Sequence, residues 1–289
     1  MTRLNGILSR PPATIYLTLL AAGLFCSTAF AGDYSKSFTV STRATVHVNT
    51  NDGSVRVTAG DAKQVQIHVD YRGYEEGKTL HIESHQSGDV VEFTARAANA
   101  WGPSFGLRDL HIEVRLPKDS DLKVETGDGE IHASGLSGNV DLGTGDGSMT
   151  VSAMSGVLRF HTGDGAIDGN DLDGQCDAVS GDGSIKLSGR FDLLKTRSGD
   201  GKIVINAAHG SKMDSGWSVQ SGDGEIEVAV PGDLRANVDA STGDGHITTD
   251  IPITVSGGLS KTRVQGTLNG GGQSLTIHTG DGSIRLGQS

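Results

Sequence analysis

The chain has 289 residues, with 35 acidic residues against 24 basic ones and a formal charge of −11. This balance disfavours nucleic acid and anionic membrane surfaces as partners, because both are held through clustered Lys and Arg. Aromatic residues make up only 4% of the chain whereas 43 residues are Gly. Such a composition disfavours a core of bulky side chains and suits a solenoid, in which each repeat buries a small apolar stripe against its neighbours.

Residues 1–31 have the features of a secretory signal peptide. Arg3 and Arg10 form a basic start, residues 15–25 are apolar, and Ala29-Phe30-Ala31 is an A-x-A cleavage site. An uncleaved membrane anchor is the alternative, but the small residues at the junction favour cleavage. We therefore expect a mature protein that begins at Gly32 and has no transmembrane segment.

Removal of the signal peptide would leave residues 32–289 as the mature chain. Phe25 before Cys26 excludes a lipoprotein signal, and the mature chain of residues 32–289 has a length that one large all-β domain can have. Only Cys176 remains, so no internal disulfide can form. The signal segment takes two Arg and no acidic residue with it, which makes the mature charge −13. We expect an exported protein that is periplasmic, displayed at the cell surface or secreted.

Residues 32–120 are predicted to form a β-rich N-terminal region that caps a solenoid. Short runs of β-branched residues alternate with turn signals, as in residues 45–48 and 65–69. Asn51-Asp52-Gly53 is a turn signal that favours positive φ. Residues 97–108, with Trp101 and Pro103, interrupt the pattern and are predicted to form a loop. No segment has a sustained helical period.

Residues 121–289 are predicted to form a stacked β-solenoid, a β-helix-like repeat. The triplet Gly-Asp-Gly occurs eight times, always after Thr or Ser, and the first four intervals between triplets are equal. Apolar residues recur at the fourth, sixth, thirteenth and fifteenth places after the first Gly, and a spacing of two places them on one face of a strand. The triplets begin at Gly127, Gly145, Gly163, Gly181, Gly199, Gly222, Gly243 and Gly280.

Each repeat therefore reads as strand, triplet turn, strand and second turn, the second turn marked by another Gly. The intervals after Gly199 are longer, which places insertions in loops such as 207–216. The last interval, from Gly243 to Gly280, is close to two repeats, so we expect one coil without a triplet between Thr249 and Thr279. About nine coils at the strand spacing of about 4.8 Å give a body roughly 40 Å long.

The triplet itself suits a tight turn. Gly on both sides of Asp is expected to supply backbone conformations that residues with a Cβ resist. The residue before each triplet is expected to point inward, where its hydroxyl can satisfy backbone groups of the turn or bond to the hydroxyl one coil away.

The triplet aspartates would stack into a ladder of like charges, which invites a hard cation such as Ca²⁺. Calcium is the only cofactor that the sequence indicates, and this site is a hypothesis beside the purely structural role of the turns. Its candidate ligands are Asp128, Asp146, Asp164, Asp182, Asp200, Asp223, Asp244 and Asp281.

Other sites are disfavoured by the pattern. No helix is predicted after any triplet, which excludes a phosphate-binding loop, and an ice-binding Thr ladder is disfavoured because Ser alternates with Thr. The ten His residues lack the spacing of a zinc site, and Cys176 occupies a core position. The acidic residues of 164–177 leave one alternative open, a polysaccharide lyase or glycosidase that uses paired carboxylates.

The sequence resembles a bacterial putative-adhesin family of β-strand-repeat proteins of unknown function. The resemblance rests on residues 116–124 leading into Thr-Gly-Asp-Gly-Glu-Ile, and on residues 268–272 followed by 275–286. It covers the chain from about Phe38 to Leu286. It implies an exported β-solenoid without an established activity, and it assigns no functional residues.

We therefore expect a non-enzymatic adhesin or envelope scaffold that presents an extended face to a surface, glycan or protein partner. A scaffold needs a repetitive face, whereas an enzyme needs one repeat that differs from the rest. The alternative remains a carbohydrate-active β-helix enzyme with its acidic residues in the repeat at 164–177.

Overall fold

The computed structural model describes residues 31–41, 43–60, 63–98, 108–256 and 260–289. These residues form strands and connecting turns and contain no helix, which confirms the predicted all-β solenoid. None of them lies in a helix that is long and apolar enough to cross a membrane. The proposed signal segment before Ala31, and most of the loop predicted at 97–108, lie outside the described residues.

The described part contains 22 strands in one hydrogen-bonded sheet that folds around a common core. Those of the N-terminal region and the first repeat are β1 Ala31–Thr39, β2 Ala44–Thr50, β3 Ser54–Ala59, β4 Gln64–Arg72, β5 Leu80–Ser87, β6 Val90–Ala97, β7 Asp109–Leu116, β8 Ser120–Thr126 and β9 Ile131–Ser134.

Three strands in the middle of the repeat are 14 residues long and run through the second corner without a break. There the expected strand-turn-strand pattern is replaced by a bend within one strand. The remaining strands are β10 Ser137–Thr144, β11 Met149–Thr162, β12 Ile167–Ser180, β13 Ile185–Ser198, β14 Ile203–Ala207, β15 Trp217–Ser221, β16 Ile226–Val230, β17 Ala236–Thr242, β18 Ile247–Thr249, β19 Thr254–Val255, β20 Arg263–Leu268, β21 Gln273–Thr279 and β22 Ile284–Gln288.

The coils have two flat faces. We call the strands that run into a triplet the entry face and those that follow a triplet the exit face. Successive coils pair in parallel and in register on both, so that Thr162 lies beside Ser180 and Ile167 beside Ile185. One period of the sequence repeat therefore equals one full coil.

The apolar columns predicted from the period are buried in the middle coils. Ile185 and Leu194, for example, are fully buried. The columns fail at the end of the stack, where Ile247 is half-buried and Thr249 is exposed. Among the described residues, β22 is the one strand that pairs with β18, and no further coil stacks on its other side. A fifth inward column at the second corner, Leu136, Met154 and Leu172, was not predicted.

The N-terminal region continues the stack. Strands β2 and β3 pair in register with β8 and β9, and the turn Thr50-Asn51-Asp52-Gly53 between them occupies the next triplet position. The outermost coil at this end is formed by β6 and β7, which pair with β2 and β3 on the other side. Antiparallel strands then cover it, β5 on β6, and β4 followed by β1 on β7.

The C-terminal end is built in the same way. Strand β21 pairs with both β15 and β17, and β22 pairs with both β16 and β18. The last triplet of the chain therefore stacks between the sixth and the seventh. The expected extra coil between Thr249 and Thr279 is wrong, because that segment instead forms β20, antiparallel to β17, with the short β19 outside it.

Candidate functional site

The eight triplets and the Asn51-Asp52-Gly53 turn stack along one edge of the solenoid, which we call the acidic edge. In each step the first glycine of one triplet donates its N–H to the carbonyl of the equivalent glycine one coil away. The N···O distance is 2.5 Å from Gly145 to Gly127, and the same from Gly163 to Gly145. This continuous backbone ladder keeps the turns in register along the edge.

The buried Thr or Ser before each triplet closes the turn from inside. The Thr162 hydroxyl donates to the carbonyl of Gly147 one coil away at 3.0 Å and accepts the N–H of Gly165 at 3.1 Å. The expected role in satisfying the turn is confirmed, although the hydroxyls bond to carbonyl groups of the neighbouring coil and not to one another. The same N–H contact, at 2.9–3.2 Å, occurs at Gly147, Gly165, Gly183, Gly201, Gly224 and Gly245.

The triplet glycines are required for close approach and not for an unusual backbone conformation. A Cβ on Gly165 would overlap the carbonyl oxygen of Gly147. None of the triplet glycines, all of which are described, has a positive φ, so that expectation was wrong. Positive φ occurs at the second corner, at Gly156 and Gly174. It also occurs at Asp171, with φ 53°, a conformation that Asp tolerates better than most residues.

The eight triplet aspartates are exposed and carry uncompensated charge. All eight lie in the described part of the chain, and none of their carboxylates has an ion-pair or hydrogen-bond partner there. The entry face differs, because its central column alternates in sign across five successive coils. That column consists of Lys123, Asp141, Arg159, Asp177 and Lys195. Negative charge is therefore concentrated on the edge and balanced on this face.

The turn at Asp52 is unlike the other eight. Its carboxylate accepts a hydrogen bond from the Tyr74 hydroxyl at 3.0 Å and contacts the N–H of Gly53 at 2.7 Å. Burial of Tyr74, with the Asp52 hydrogen bond as a second cause, raises the pKa of its phenol to about 12. The Arg108 guanidinium lies over the Tyr74 ring, 5.3 Å from its centroid. This first position of the acidic edge is therefore fixed by side chains.

A calcium ion has no preformed cage on the acidic edge. Within the described ranges, no group of three or more His, Cys, Asp or Glu side chains is arranged to hold a metal ion. Calcium takes six to eight oxygen ligands, whereas each coil contributes one exposed carboxylate. Calcium binding by Asp128, Asp146, Asp164, Asp182, Asp200, Asp223, Asp244 and Asp281 therefore stays a hypothesis.

The structure disperses the acidic residues of 164–177. Asp164 lies on the acidic edge, whereas Asp168 lies on the exit face, where Lys186 is its neighbour on the adjacent strand. Asp177 lies on the opposite, entry face beside Lys195, Asp171 lies at the second corner, and Asp173 forms an ion pair with Arg190. Glycoside hydrolysis needs two carboxylates flanking one bond, and this repeat does not bring such a pair together.

Cys176 is fully buried, as its position in the period predicted. Burial raises the pKa of its thiol well above the ordinary range. The thiolate is the reactive form of cysteine, so Cys176 is a core residue and not a nucleophile.

Two histidines near the N-terminal end make contacts that the sequence analysis missed. Ser35 Oγ lies 2.6 Å from His68 Nδ1, and His68 Nε2 lies 3.2 Å from Asp70. His111 similarly contacts Ser54 at 2.7 Å. Ser35 and His68 line a shallow groove of about 360 Å³ on an open sheet face.

Similar Ser–His contacts occur elsewhere in the sheet. Ser241 lies 3.1 Å from His278 and Ser283 lies 2.9 Å from His246. The contact is thus a recurrent cross-strand hydrogen bond of this sheet, and we do not assign it to a catalytic centre.

Three solved structures align with most of the chain at low similarity. A "putative cell adhesion protein" from Clostridium sporogenes is 13% identical, with 89% of this chain and 100% of that one covered and a TM-score of 0.31. A "putative lipid binding protein" from Parabacteroides distasonis is 13% identical, with 88% and 96% covered and a TM-score of 0.48. A "putative adhesin" from Bacteroides fragilis is 9% identical, with 89% and 97% covered and a TM-score of 0.35. TM-scores this low carry no inference about function.

None of the curated proteins is significantly similar to this chain in sequence. A family match is nevertheless clear, and it spans residues 38–287, from the first buried residue of β1 to the final strand. By this match, the chain belongs to the Toastrack DUF4097 family.

Proposed function

We propose that this protein is an exported, non-enzymatic scaffold of the cell envelope or cell surface whose acidic edge binds a cationic partner. The partner is a protein or glycan surface that carries amines or guanidinium groups. The observation that carries the proposal is the row of exposed carboxylates without ion-pair partners, repeated in register over the whole stack.

The length and charge of the edge favour a surface over a small molecule. Nine stacked turns at about 4.8 Å span roughly 40 Å. A field of one sign along this length attracts oppositely charged surfaces and accelerates their association. The dispersal of Asp164, Asp168 and Asp177 over different sides of the solenoid supports a binding role over hydrolysis.

Binding to an amine-bearing polymer, such as chitosan or polylysine, tests this function. Replacement of Asp146, Asp164 and Asp182 by Asn should weaken binding at least about tenfold at low salt and flatten its salt dependence. The matched control replaces Asp33, Asp168 and Asp214, which are exposed away from the edge, and changes the net charge equally. An equal loss of binding in both variants would mean that net charge alone determines binding, and it would contradict a specific role of the acidic edge.

Export and the absence of enzymatic activity need separate measurements. Cell fractionation with mass determination of the mature protein should place it outside the cytoplasm with Gly32 as its first residue. A glycan array would then identify any sugar ligand. Release of reducing sugar from an acidic polysaccharide, lost on Asp168→Asn or Asp173→Asn, would replace the scaffold by the carbohydrate-active alternative.

A further inference from the structure

The repeat places many Asp-Gly dipeptides in one chain, and this dipeptide is chemically labile. The sequence contains eleven of them, eight in the triplets and the others at Asp52, Asp168 and Asp173. In such a dipeptide the glycine nitrogen attacks the carboxyl carbon of the aspartate side chain. A C–N bond closes a five-membered succinimide and the C–O bond to one carboxyl oxygen breaks. The reacting form is the protonated carboxyl group, so the departing oxygen carries the carboxyl proton, takes the proton that the nitrogen loses, and leaves as water.

Hydrolysis of the succinimide completes the reaction. Water adds to one of the two ring carbonyls and that C–N bond breaks. Opening on the side-chain carbonyl restores aspartate, whereas opening on the main-chain carbonyl leaves the chain running through the side chain as isoaspartate. Water is lost in the first step and regained in the second, so no other reactant is needed. The step that structure controls is the approach of the nitrogen to the carboxyl carbon.

In six triplets the structure keeps the two reacting groups apart. The nitrogen that would attack donates its proton to the buried Thr or Ser hydroxyl, as from Gly165 to Thr162 at 3.1 Å. The carboxylate of Asp164 is exposed on the outside of the same turn. The nitrogen is thereby held toward the interior while the carboxylate faces solvent. Gly169 and Gly174, which follow Asp168 and Asp173, lie within β12, paired with a strand on each side.

At Asp52 the nitrogen of the following glycine is held against the carboxylate and not away from it. The Gly53 nitrogen lies 2.7 Å from an Asp52 carboxylate oxygen, and the Thr50 hydroxyl donates to the carbonyl of Asp52 at 2.5 Å. Gly53 has φ 95°, whereas no triplet glycine has a positive φ. The attacking nitrogen and the carboxyl group that it attacks are therefore already in contact.

Tyr74 supplies a second group to this reaction. Its hydroxyl donates to the other Asp52 carboxylate oxygen at 3.0 Å. The phenol is protonated at neutral pH, as an ordinary tyrosine is, and burial raises its pKa further, to about 12. A hydrogen bond from a protonated group to the departing oxygen assists its loss as water.

We propose that Asp52–Gly53 is the Asp-Gly site of this protein that forms isoaspartate most readily, and that buried Thr and Ser hydroxyls suppress the same reaction at the six triplets where they bind the following glycine nitrogen. The inference is independent of the proposed binding function. It also gives the hydroxyl before these six triplets a chemical role besides its structural one.

The position of Asp52 gives the modification a structural consequence. Its neighbour Asn51 donates to the Ala97 carbonyl at 2.7 Å and accepts the Ala97 N–H at 2.8 Å, which ties the turn to the outermost coil. Isoaspartate adds a methylene to the backbone at the adjacent residue. We expect the N-terminal coil to loosen as the modification accumulates, while the middle coils stay intact.

Ageing of the purified protein tests the first half of the proposal. The protein is incubated at neutral pH and physiological temperature for several weeks, and isoaspartate is located by enzymatic methylation and peptide mapping. Asp52 should accumulate at least about tenfold more isoaspartate than the mean of the six hydroxyl-protected triplets. A level at Asp52 equal to or below that mean overturns the proposal. Tyr74→Phe should slow isoaspartate formation at Asp52. An unchanged rate would contradict a role of the Tyr74 hydroxyl in the reaction.

Removal of one hydroxyl tests the second half within a single molecule. Thr162→Val keeps the shape of the side chain and frees the Gly165 nitrogen, so isoaspartate at Asp164 should rise several-fold. Asp200, whose Gly201 nitrogen remains bonded to Ser198 two coils away, is the internal control for folding and solvent access. A rise at both positions would reflect general loosening, and no rise at Asp164 would mean that the hydroxyl does not protect; either result contradicts the proposal.

Discussion

The middle of the solenoid and its two ends differ in the order in which their coils stack. In the middle, each coil pairs with the coils that precede and follow it in the chain. At each end, an early or late coil is inserted between coils that are distant in sequence, as with β2 between β6 and β8 and β21 between β15 and β17. The comparison teaches that the repeat alone gives a stack of undefined length, whereas the non-sequential ends terminate it.

Both ends also differ from the middle in strand direction. Antiparallel strands cover both faces of the outermost coil at one end, through β5 and β4, and the entry face of the outermost coil at the other, through β20. An uncovered coil would leave a row of unpaired backbone groups, which is a template for adding another chain. The irregular ends therefore limit end-to-end association of a fold whose middle has no intrinsic stop.

A charge in the core should have the largest effect and should separate the two regions. Ile185→Asp places an unpaired carboxylate in a fully buried column of the middle and is expected to destabilise the fold by more than about 4 kcal/mol. Ile247→Asp occupies the same column in the half-buried last coil and should have a much smaller effect. Urea denaturation followed by circular dichroism measures both. Similar losses would mean that the end is as tightly packed as the middle.

The next largest effect should come from the stacked glycines. Gly165→Ala forces a Cβ against the Gly147 carbonyl, and we expect a loss of about 2–4 kcal/mol in the free energy of unfolding, within the range of strained and overpacked variants. Gly287→Ala in the last strand, where a Cβ meets no atom within 4 Å, is the control and should be nearly neutral. Thermal denaturation of the two variants would show whether the turn requires close approach.

Loss of a buried hydroxyl should be milder. Thr162→Val removes one hydrogen bond to the Gly147 carbonyl and one from the Gly165 N–H, and a loss of about 1–3 kcal/mol is expected. Thr126→Val at the first triplet should have a smaller effect, since the Thr126 hydroxyl makes a single, longer contact of 3.3 Å to Gly53. The reverse order in denaturation experiments would contradict the hydrogen-bond account.

Calcium should have the smallest effect. If the acidic edge binds Ca²⁺ with a millimolar dissociation constant, a tenfold excess stabilises the fold by about 1.4 kcal/mol through mass action. The melting temperature should then rise with Ca²⁺ and lose this rise on replacement of Asp146, Asp164 and Asp182 by Asn. Identical melting with Ca²⁺ and with a chelator would end the calcium hypothesis.

The sequence predicted the middle well because its structure is local. The repeat period alone predicts Ile185 and Leu194 in the core and Thr162 inside its turn, and all three are buried. The sequence also contains a signal for the turn at Asn51-Asp52-Gly53, because Val55 and Val57 follow Asn51 at the fourth and sixth places, as the apolar residues do in the triplet repeats. Asn in place of the first Gly hides this turn from a search for the Gly-Asp-Gly triplet.

The ends could not be predicted from the period. Nothing in the spacing of Gly243 and Gly280 indicates that the later triplet stacks before the earlier one, because both have equivalent local sequences. The order is decided by which strands cover the outermost coil, a contact between distant residues. Likewise, the contact between the Gly53 nitrogen and the Asp52 carboxylate depends on residues outside the turn. Tyr74, which follows β4, binds the carboxylate, and Gly53 lies against Leu110.

The ladder of the acidic edge makes this protein a short line of charge. In water, the Coulomb energy of two unit charges equals thermal energy at about 7 Å, and the carboxylates repeat at about 4.8 Å. A line that dense accumulates mobile cations along its length whatever their identity. Added salt should therefore stabilise the stack by relieving repulsion between coils, the opposite of its effect on folds held by surface ion pairs. If the protein is exported, as proposed above, the ionic strength outside the cell then contributes to its stability.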